Sequence, residues 1–104
     1  MLTRPRIHFV ETANNFRQIS GSTDWESGYW YRIGNKTAEA LVGGHIYLHR
    51  AQKEPSFLGG VIKSFRIQSE GKHQGRYVFR FEPSTNGTGI SADSWDYRFK
   101  RIVL

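Results

Sequence analysis

Residues 41–67, LVGGHIYLHRAQKEPSFLGGVIKSFRI, decide the fold class of this chain. Within them, residues 45–50 read HIYLHR, so isoleucine and leucine alternate with histidine and tyrosine. This period of two sends successive side chains of a strand to opposite faces of a sheet, one apolar and one polar. Residues 60–68 alternate in the same way and predict the next strand. Glycine pairs at 43–44 and 59–60 mark places where the backbone turns tightly or lets another segment approach closely.

The remaining sequence predicts more strands and one short helix. Apolar alternation bounded by turn residues indicates strands over residues 7–11, 29–33, 76–82 and 97–104. Good helix formers follow Asn35 and Thr37, either of which can cap a helix, so residues 35–42 predict one or two helical turns. These elements predict a β-rich α+β domain, arranged as a small barrel with antiparallel pairing and one or two peripheral helices. An open α+β sheet is the alternative.

Length and composition bound the kind of protein. A chain of 104 residues is expected to form a single domain, residues 1–104, that buries a core without disulfides or metal. Cysteine is absent, which excludes disulfides, thiolate zinc sites and cysteine nucleophiles, and which fits a reducing compartment. No stretch approaches the roughly 20 apolar residues that cross a bilayer. We therefore expect a soluble cytoplasmic protein with no membrane partner.

The charge balance favours a polyanionic partner. The formal net charge is +6 and the sequence pI is about 10.0, which attracts nucleic acid through its phosphates. Aromatic residues make up 14% of the chain, and flat rings are the groups on which bases stack. The alternative is that most of these rings pack inside the domain.

The order of four short motifs resembles the PUA-like superfamily, in particular its EVE and ASCH branches. These motifs are the pair Tyr29-Trp30, the helix end at residues 41–44, the strand HIYLH at 45–49 and the segment SFLGGVI at 56–62. The resemblance covers residues 29–104. It implies a compact β-barrel with peripheral helices that binds RNA or DNA, in the EVE branch often by holding a modified base in an aromatic-lined pocket.

Candidate ligand-binding residues follow from the resemblance and from the strand pattern. The resemblance implies that Trp30, Ser56 and Phe57 lie at the pocket mouth and that Trp95 occupies the late tryptophan position of the family. Tyr47 and His49 lie on the polar face of the predicted strand, next to the loop at 50–56 where we expect a ligand. Indole rings stack on bases that leave their strand. Core packing is the alternative interpretation of each tryptophan.

Basic side chains provide candidates for contacts with the nucleic-acid backbone, namely Arg50, Lys53, Lys63, Arg80 and Arg98. If the strands pair as predicted, Lys63, Arg80 and Arg98 lie on neighbouring strands and form a phosphate-binding stripe. Such contacts position a strand without reading its sequence. A solvated sheet face is the alternative.

The sequence offers little support for catalysis. His45 and His49 would lie roughly 13 Å apart along a strand, too far for one zinc ion. There is no Gly-x-Ser-x-Gly elbow, no His-Glu-x-x-His motif and no glycine-rich nucleotide loop. We expect no metal and no cofactor, and the sequence favours a binding protein over an enzyme.

Two functions remain open at this point. The first is a nucleic-acid-binding module that reads a modified or unpaired base in an aromatic pocket with a basic rim. The second is a non-catalytic protein-interaction or regulatory module with an acidic partner, in which Trp25 anchors the interface. The sequence does not distinguish RNA from DNA, and it leaves the oligomeric state and any base modification open.

Overall fold

The strands of this protein form one mixed sheet. The computed structural model describes residues 4–31, 33–95 and 100–104. The seven strands in these residues are Arg6–Val10 (β1), Arg17–Gln18 (β2), Trp25–Glu26 (β3), His45–His49 (β4), Ser56–Ile67 (β5), Tyr77–Pro83 (β6) and Lys100–Val103 (β7). They follow the order β2-β3-β6-β5-β4-β1-β7 across the sheet. One α-helix, Asn35–Leu41 (α1), and a short 3-10 helix, Thr85–Gly87, complete the described elements.

The long strand β5 joins the two halves of the sheet. Its first half pairs with β4, where Gly59 lies opposite Tyr47, and its second half pairs with β6, where Phe65 lies opposite Phe79. Register shifts interrupt both ladders, next to His49 and again after Ile62. Such irregularities bend a strand and increase its twist, so β5 can serve two partners along its 12 residues.

The core lies on one face of the sheet because alternate residues of each strand point to the same side. Ile7 and Phe9 of β1 lie beside Ile46 and Leu48 of β4 in the parallel ladder. Helix α1 packs on this face with its two buried residues. The buried cluster comprises Ile7, Phe9, Ile33, Ala38, Leu41, Ile46, Leu48, Ile62, Phe79 and Phe81.

The predicted β-rich architecture with one short helix is confirmed, and the helix begins at the expected residue. The sheet, however, is not closed. Strands β2 and β7 stand at its two ends, so the described strands do not form a complete barrel. The pairing also differs from the antiparallel expectation, because β1 and β4 run parallel. A parallel pair needs a long crossover, and the chain between these strands supplies one that includes α1.

Two of the predicted strands differ from the observed ones in ways that affect the candidate site. Residues 29–33 were expected to form a strand, but only the isolated bridge between Trp30 and Tyr77 forms among their described members. Strand β5 begins at Ser56 rather than at residue 60, so Ser56 and Phe57 belong to a strand. Residues 97–99 of the predicted last strand lie outside the described residues. Within the described part of the chain, no helix has the length and apolar character needed to span a membrane.

Candidate functional site

Trp30 borders a cavity of about 160 Å³ that opens beside the end of β1. The walls come from the residues that follow β1, from the segment before α1 and from the start of β6. The side chains that matter for its chemistry are Glu11, Asn15, Tyr29, Trp30 and Arg76. The cavity therefore combines two aromatic rings, a carboxyl group, an amide and a guanidinium.

Trp30 is held firmly in the cavity wall. Its indole stacks on Phe9, with ring centroids 3.9 Å apart and an interplanar angle of 11°. Its backbone exchanges two hydrogen bonds with Tyr77, at 3.0 and 2.8 Å. The indole Nε1–H is buried, yet it has no hydrogen-bond acceptor among the described residues. Trp30 thus combines a fixed ring with an unused donor.

Arg76 lines the same cavity and carries a second unpaired donor. Its guanidinium carbon lies 3.7 Å from the centre of the Tyr31 ring, and Nη2 donates to the Tyr31 hydroxyl at 2.6 Å. Its Nε–H is buried and finds no acceptor in the described part of the chain. Buried polar groups in folded proteins are nearly always paired. Both unpaired N–H groups belong to residues that line this cavity, but the two nitrogen atoms themselves have almost no solvent-accessible surface.

Glu11 fixes the loop that forms another wall. Its carboxylate is buried and Oε2 accepts a hydrogen bond from the Ala13 backbone N–H at 3.0 Å. Burial raises the pKa of Glu11, while backbone N–H groups of the loop oppose that shift. Gly28 packs against the carboxylate so closely that a Cβ there would lie 2.5 Å from Oε1. The wall is therefore preformed around a buried acid.

Arg50 and Phe57, both predicted site residues, contact each other next to this loop. The Arg50 guanidinium lies 3.9 Å from the centre of the Phe57 ring and donates to Asn14 Oδ1 at 2.7 Å. Phe16 packs against Phe57, with ring centroids 5.4 Å apart. This group supports the loop from outside the cavity. Lys53 is exposed in the turn that follows Arg50.

Tyr47, His49 and Trp95 meet on the opposite face of the sheet, around His8. Tyr47 stacks on His8 with centroids 4.9 Å apart, and Trp95 presents an edge-on contact to His49 at 5.2 Å. Because His8 and Phe9 are successive strand residues, Trp95 and Trp30 contact opposite faces of β1. The predicted ligand-binding residues therefore fall into two separate groups. In the described part of the chain, Trp30, Phe57 and Trp95 do not line one common cavity.

A buried hydrogen-bond chain orders the two histidines. His49 Nδ1 donates to the Glu54 carbonyl at 2.8 Å, since a carbonyl can only accept. The His49 Nε2 of this tautomer then accepts from His8 Nδ1 at 2.9 Å. Burial, reinforced by His49, Arg6 and Arg101, lowers the pKa of His8 to about 4, and burial lowers the pKa of His49 as well. Both rings are therefore neutral at neutral pH.

Ser56 has a structural contact rather than a free hydroxyl. Its Oγ donates to the Gly87 carbonyl at 2.6 Å and accepts from the Ile90 N–H at 3.0 Å. The side chain is buried. Ser56 therefore ties the connection after β6 to the start of β5, which the sequence pattern did not reveal.

Lys63 and Arg80 do lie together, as predicted, but a carboxylate lies between them. Lys63 Nζ is 3.0 Å from Asp24 Oδ1, and Arg80 Nε is 2.8 Å from Asp24 Oδ2. These two cations lower the pKa of Asp24, which is itself buried. Glu82 Oε2 also lies 3.2 Å from Lys63 Nζ. Two carboxylates thus balance the two cations before any phosphate arrives. Arg98, the third member of the predicted stripe, lies outside the described residues.

Of the residues named here around the cavity, Trp30 was predicted from the sequence as a site residue, whereas Glu11, Asn15, Tyr29, Tyr31 and Arg76 were not. Arg76 stood in the basic second half of the chain, and no local pattern distinguished it from its neighbours. Trp25, the proposed protein anchor, lies opposite Phe81 in the sheet and packs against Phe16 with centroids 6.0 Å apart. Among the described residues, no group of three or more histidine, aspartate and glutamate side chains could hold a metal ion.

Comparison of the chain with protein-family models, with curated protein sequences and with solved structures finds no match. The fold and the cavity beside Trp30 are therefore the observations that bear on function.

Proposed function

We propose that this protein is a nucleic-acid-binding module that holds one unpaired or modified base in the cavity beside Trp30. The supporting observation is the cavity itself, which is lined by the aromatic residues Tyr29 and Trp30 and by Arg76. A base stacks on aromatic rings, and its carbonyl oxygens and ring nitrogens accept hydrogen bonds from arginine. Membership of the PUA-like superfamily is part of this proposal, and it is supported by the sequence resemblance.

The size of the cavity suits one flat ring. An engineered protein cavity of about 150 Å³ is known to hold benzene, so about 160 Å³ admits a ring of that class. Tyr29 and Trp30 supply aromatic walls, on which bases stack without strong sequence preference. A base must leave its helical stack to enter, which favours unpaired positions.

The charge around the cavity suits a polyanion. Arg76 lines the cavity, Arg50 binds the neighbouring loop through Asn14, and Lys72 lies near His73 at the tip of the β5–β6 hairpin. The net charge of +6 adds long-range attraction. Backbone contacts of this kind make binding weaken as salt rises.

Replacing the cavity tryptophan tests the proposal. We expect Trp30→Ala to weaken binding of a short fluorescein-labelled single strand by about 5- to 150-fold, the range for one lost stacking contact. Fluorescence anisotropy titrations with RNA and DNA strands, each at low and moderate salt, measure this loss. Trp95→Ala is the matched control, because Trp95 contacts the other face of β1. We expect it to leave the affinity within about twofold of the original.

A second pair of variants tests the proposal even if Trp30→Ala fails to fold. Arg76→Gln removes the guanidinium of a residue that lines the cavity, and Arg17→Gln makes the same charge change at an exposed residue, where Glu26 keeps its contact with Arg66. We expect only Arg76→Gln to weaken binding strongly. Equal affinity of both variants, or no binding of either strand by the original protein, would contradict the proposal and favour a protein partner instead.

A further inference from the structure

We propose that Tyr31 stacks against the base next to the one in the cavity, so that the ligand is a single strand of at least two nucleotides. This inference rests on the proposed function and specifies its substrate class. The observation behind it is that Tyr31 is strongly exposed yet held in place by two cationic side chains.

Tyr31 is 54% exposed, although its ring and its backbone both contact other residues. One face of its ring lies against the Arg76 guanidinium, whose central carbon is 3.7 Å from the ring centre. With that face covered, an exposure of 54% leaves the ring edge and the opposite face to account for the exposed area of the ring.

Two contacts fix the position of this ring. Arg76 Nη2 donates to the Tyr31 hydroxyl at 2.6 Å, and Lys100 Nζ donates to the Tyr31 carbonyl at 2.8 Å. Lys100 is only 7% exposed, so it anchors the backbone from inside the domain. A ring that is already immobilised loses little freedom when a ligand stacks on it, which favours binding.

The plate formed by Tyr31 and Arg76, here called the Tyr31 plate, adjoins the cavity. Tyr31 follows Trp30 directly in the chain, and Arg76 both lines the cavity and covers the Tyr31 ring. The phosphate that joins two successive nucleotides would therefore pass close to the Arg76 guanidinium. Arginine suits this role because it stacks on a ring and binds phosphate at the same time.

This arrangement selects against a regular duplex. In a duplex each base stacks on its neighbours and pairs across the helix. The plate and the cavity together require two successive bases to separate, one entering the cavity and the other lying on Tyr31. A single strand or an unpaired loop meets this requirement at lower cost.

Mononucleotides and dinucleotides distinguish this inference from the proposed function. Each common nucleoside monophosphate and the matching homodinucleotide would compete against the labelled strand in anisotropy titrations. For the bases that bind, we expect the dinucleotide to bind about 5- to 150-fold more tightly, the range for one added stacking contact. Because Tyr31 also holds Arg76, we expect Tyr31→Ala to weaken both probes, but to weaken the dinucleotide far more than the mononucleotide, so that most of this gain is lost. Tyr31→Phe keeps the ring and should keep most of the gain.

Three outcomes would overturn the inference but leave the proposed function standing. If mononucleotides bind but dinucleotides gain nothing, there is no second base site. If Tyr31→Ala keeps the full gain, the second base lies elsewhere. If Tyr31→Ala weakens mononucleotides and dinucleotides equally, Tyr31 only supports the cavity through Arg76. Failure of the original protein to bind any of these probes or the labelled strand would overturn the proposed function as well.

Discussion

Gly60→Ala is expected to lower the free energy of unfolding by at least about 3 kcal/mol, the upper end of the cost of inserting atoms into a packed interior. A Cβ at residue 60 would lie 1.8 Å from the Glu82 carbonyl oxygen and 2.8 Å from Pro83 Cα. Both atoms belong to the backbone of β6, which pairs with β5 at this point. Neither can move aside without breaking the ladder that joins the two halves of the sheet. Urea unfolding monitored by tryptophan fluorescence measures the loss.

Gly21→Ala is the matched control for this variant. Gly21 lies in a loop with a φ of 76°, and a Cβ there meets no atom within 4 Å. Its only cost is the left-handed backbone conformation, roughly 1 to 2 kcal/mol. Similar losses of stability in the two variants would show that the stability of the sheet does not depend on the close approach of β6 to residue 60.

The glycine pairs show what the sequence could predict at a local level. The pairs at 43–44 and 59–60 indicated tight turns or close approach, and the structure confirms both. Gly43 has a φ of 88°, whereas a Cβ at Gly59 would lie 2.5 Å from the Ile46 carbonyl. The alternation at 45–49 was equally informative, because a period of two depends only on neighbouring residues.

Strand partners could not be predicted in the same way. The parallel pairing of β1 with β4 depends on contacts between residues about 40 positions apart, such as Phe9 and Leu48. This pairing decides which residues of the site meet. It brings His8 against His49. Short motifs carry no signal for such long-range pairings.

The charge pattern had a similar limit. The sequence placed Lys63 and Arg80 on neighbouring strands, and they do lie together. Asp24, however, comes from a distant loop and contacts both of them, and together with Glu82 it balances their charge. Trp30, a predicted ligand-binding residue, lines the cavity, whereas Arg76 was one basic residue among many in the sequence. Only the tertiary structure shows which cations are already paired.

Acidification from pH 7 to pH 5 is expected to lower the free energy of unfolding by about 2 kcal/mol through His8 alone. The pKa of His8 is lowered from 6.5 to about 4 in the folded protein. The unfolded chain therefore binds a proton more readily, and stability falls as the pH drops through 6.5 toward 4. A full shift of this size corresponds to about 3 kcal/mol. The cause is physical: protonation would place a charge in a buried site beside Arg6 and Arg101.

Between pH 7 and pH 5, the change in stability comes from histidines rather than from most carboxylates. The pKa values of Asp24 and Glu26 are lowered by their cationic partners, so their contributions to stability are lost only below the ordinary carboxyl range. The raised pKa of Glu11 acts in the opposite direction and can only reduce the observed loss. His8→Asn keeps a donor near the position of Nδ1 but does not titrate. Between pH 7 and pH 5, we expect the free energy of unfolding of this variant to fall by about 2 kcal/mol less than that of the original protein.

His45→Asn is the matched control, because His45 lies on the same face of β4 without joining the hydrogen bond between His8 and His49. We expect this variant to keep the acid sensitivity of the original protein. Urea unfolding at closely spaced pH values measures all three proteins. An undiminished loss in His8→Asn would mean that the proton enters elsewhere. The buried pair would then not be what makes this sheet sensitive to acid.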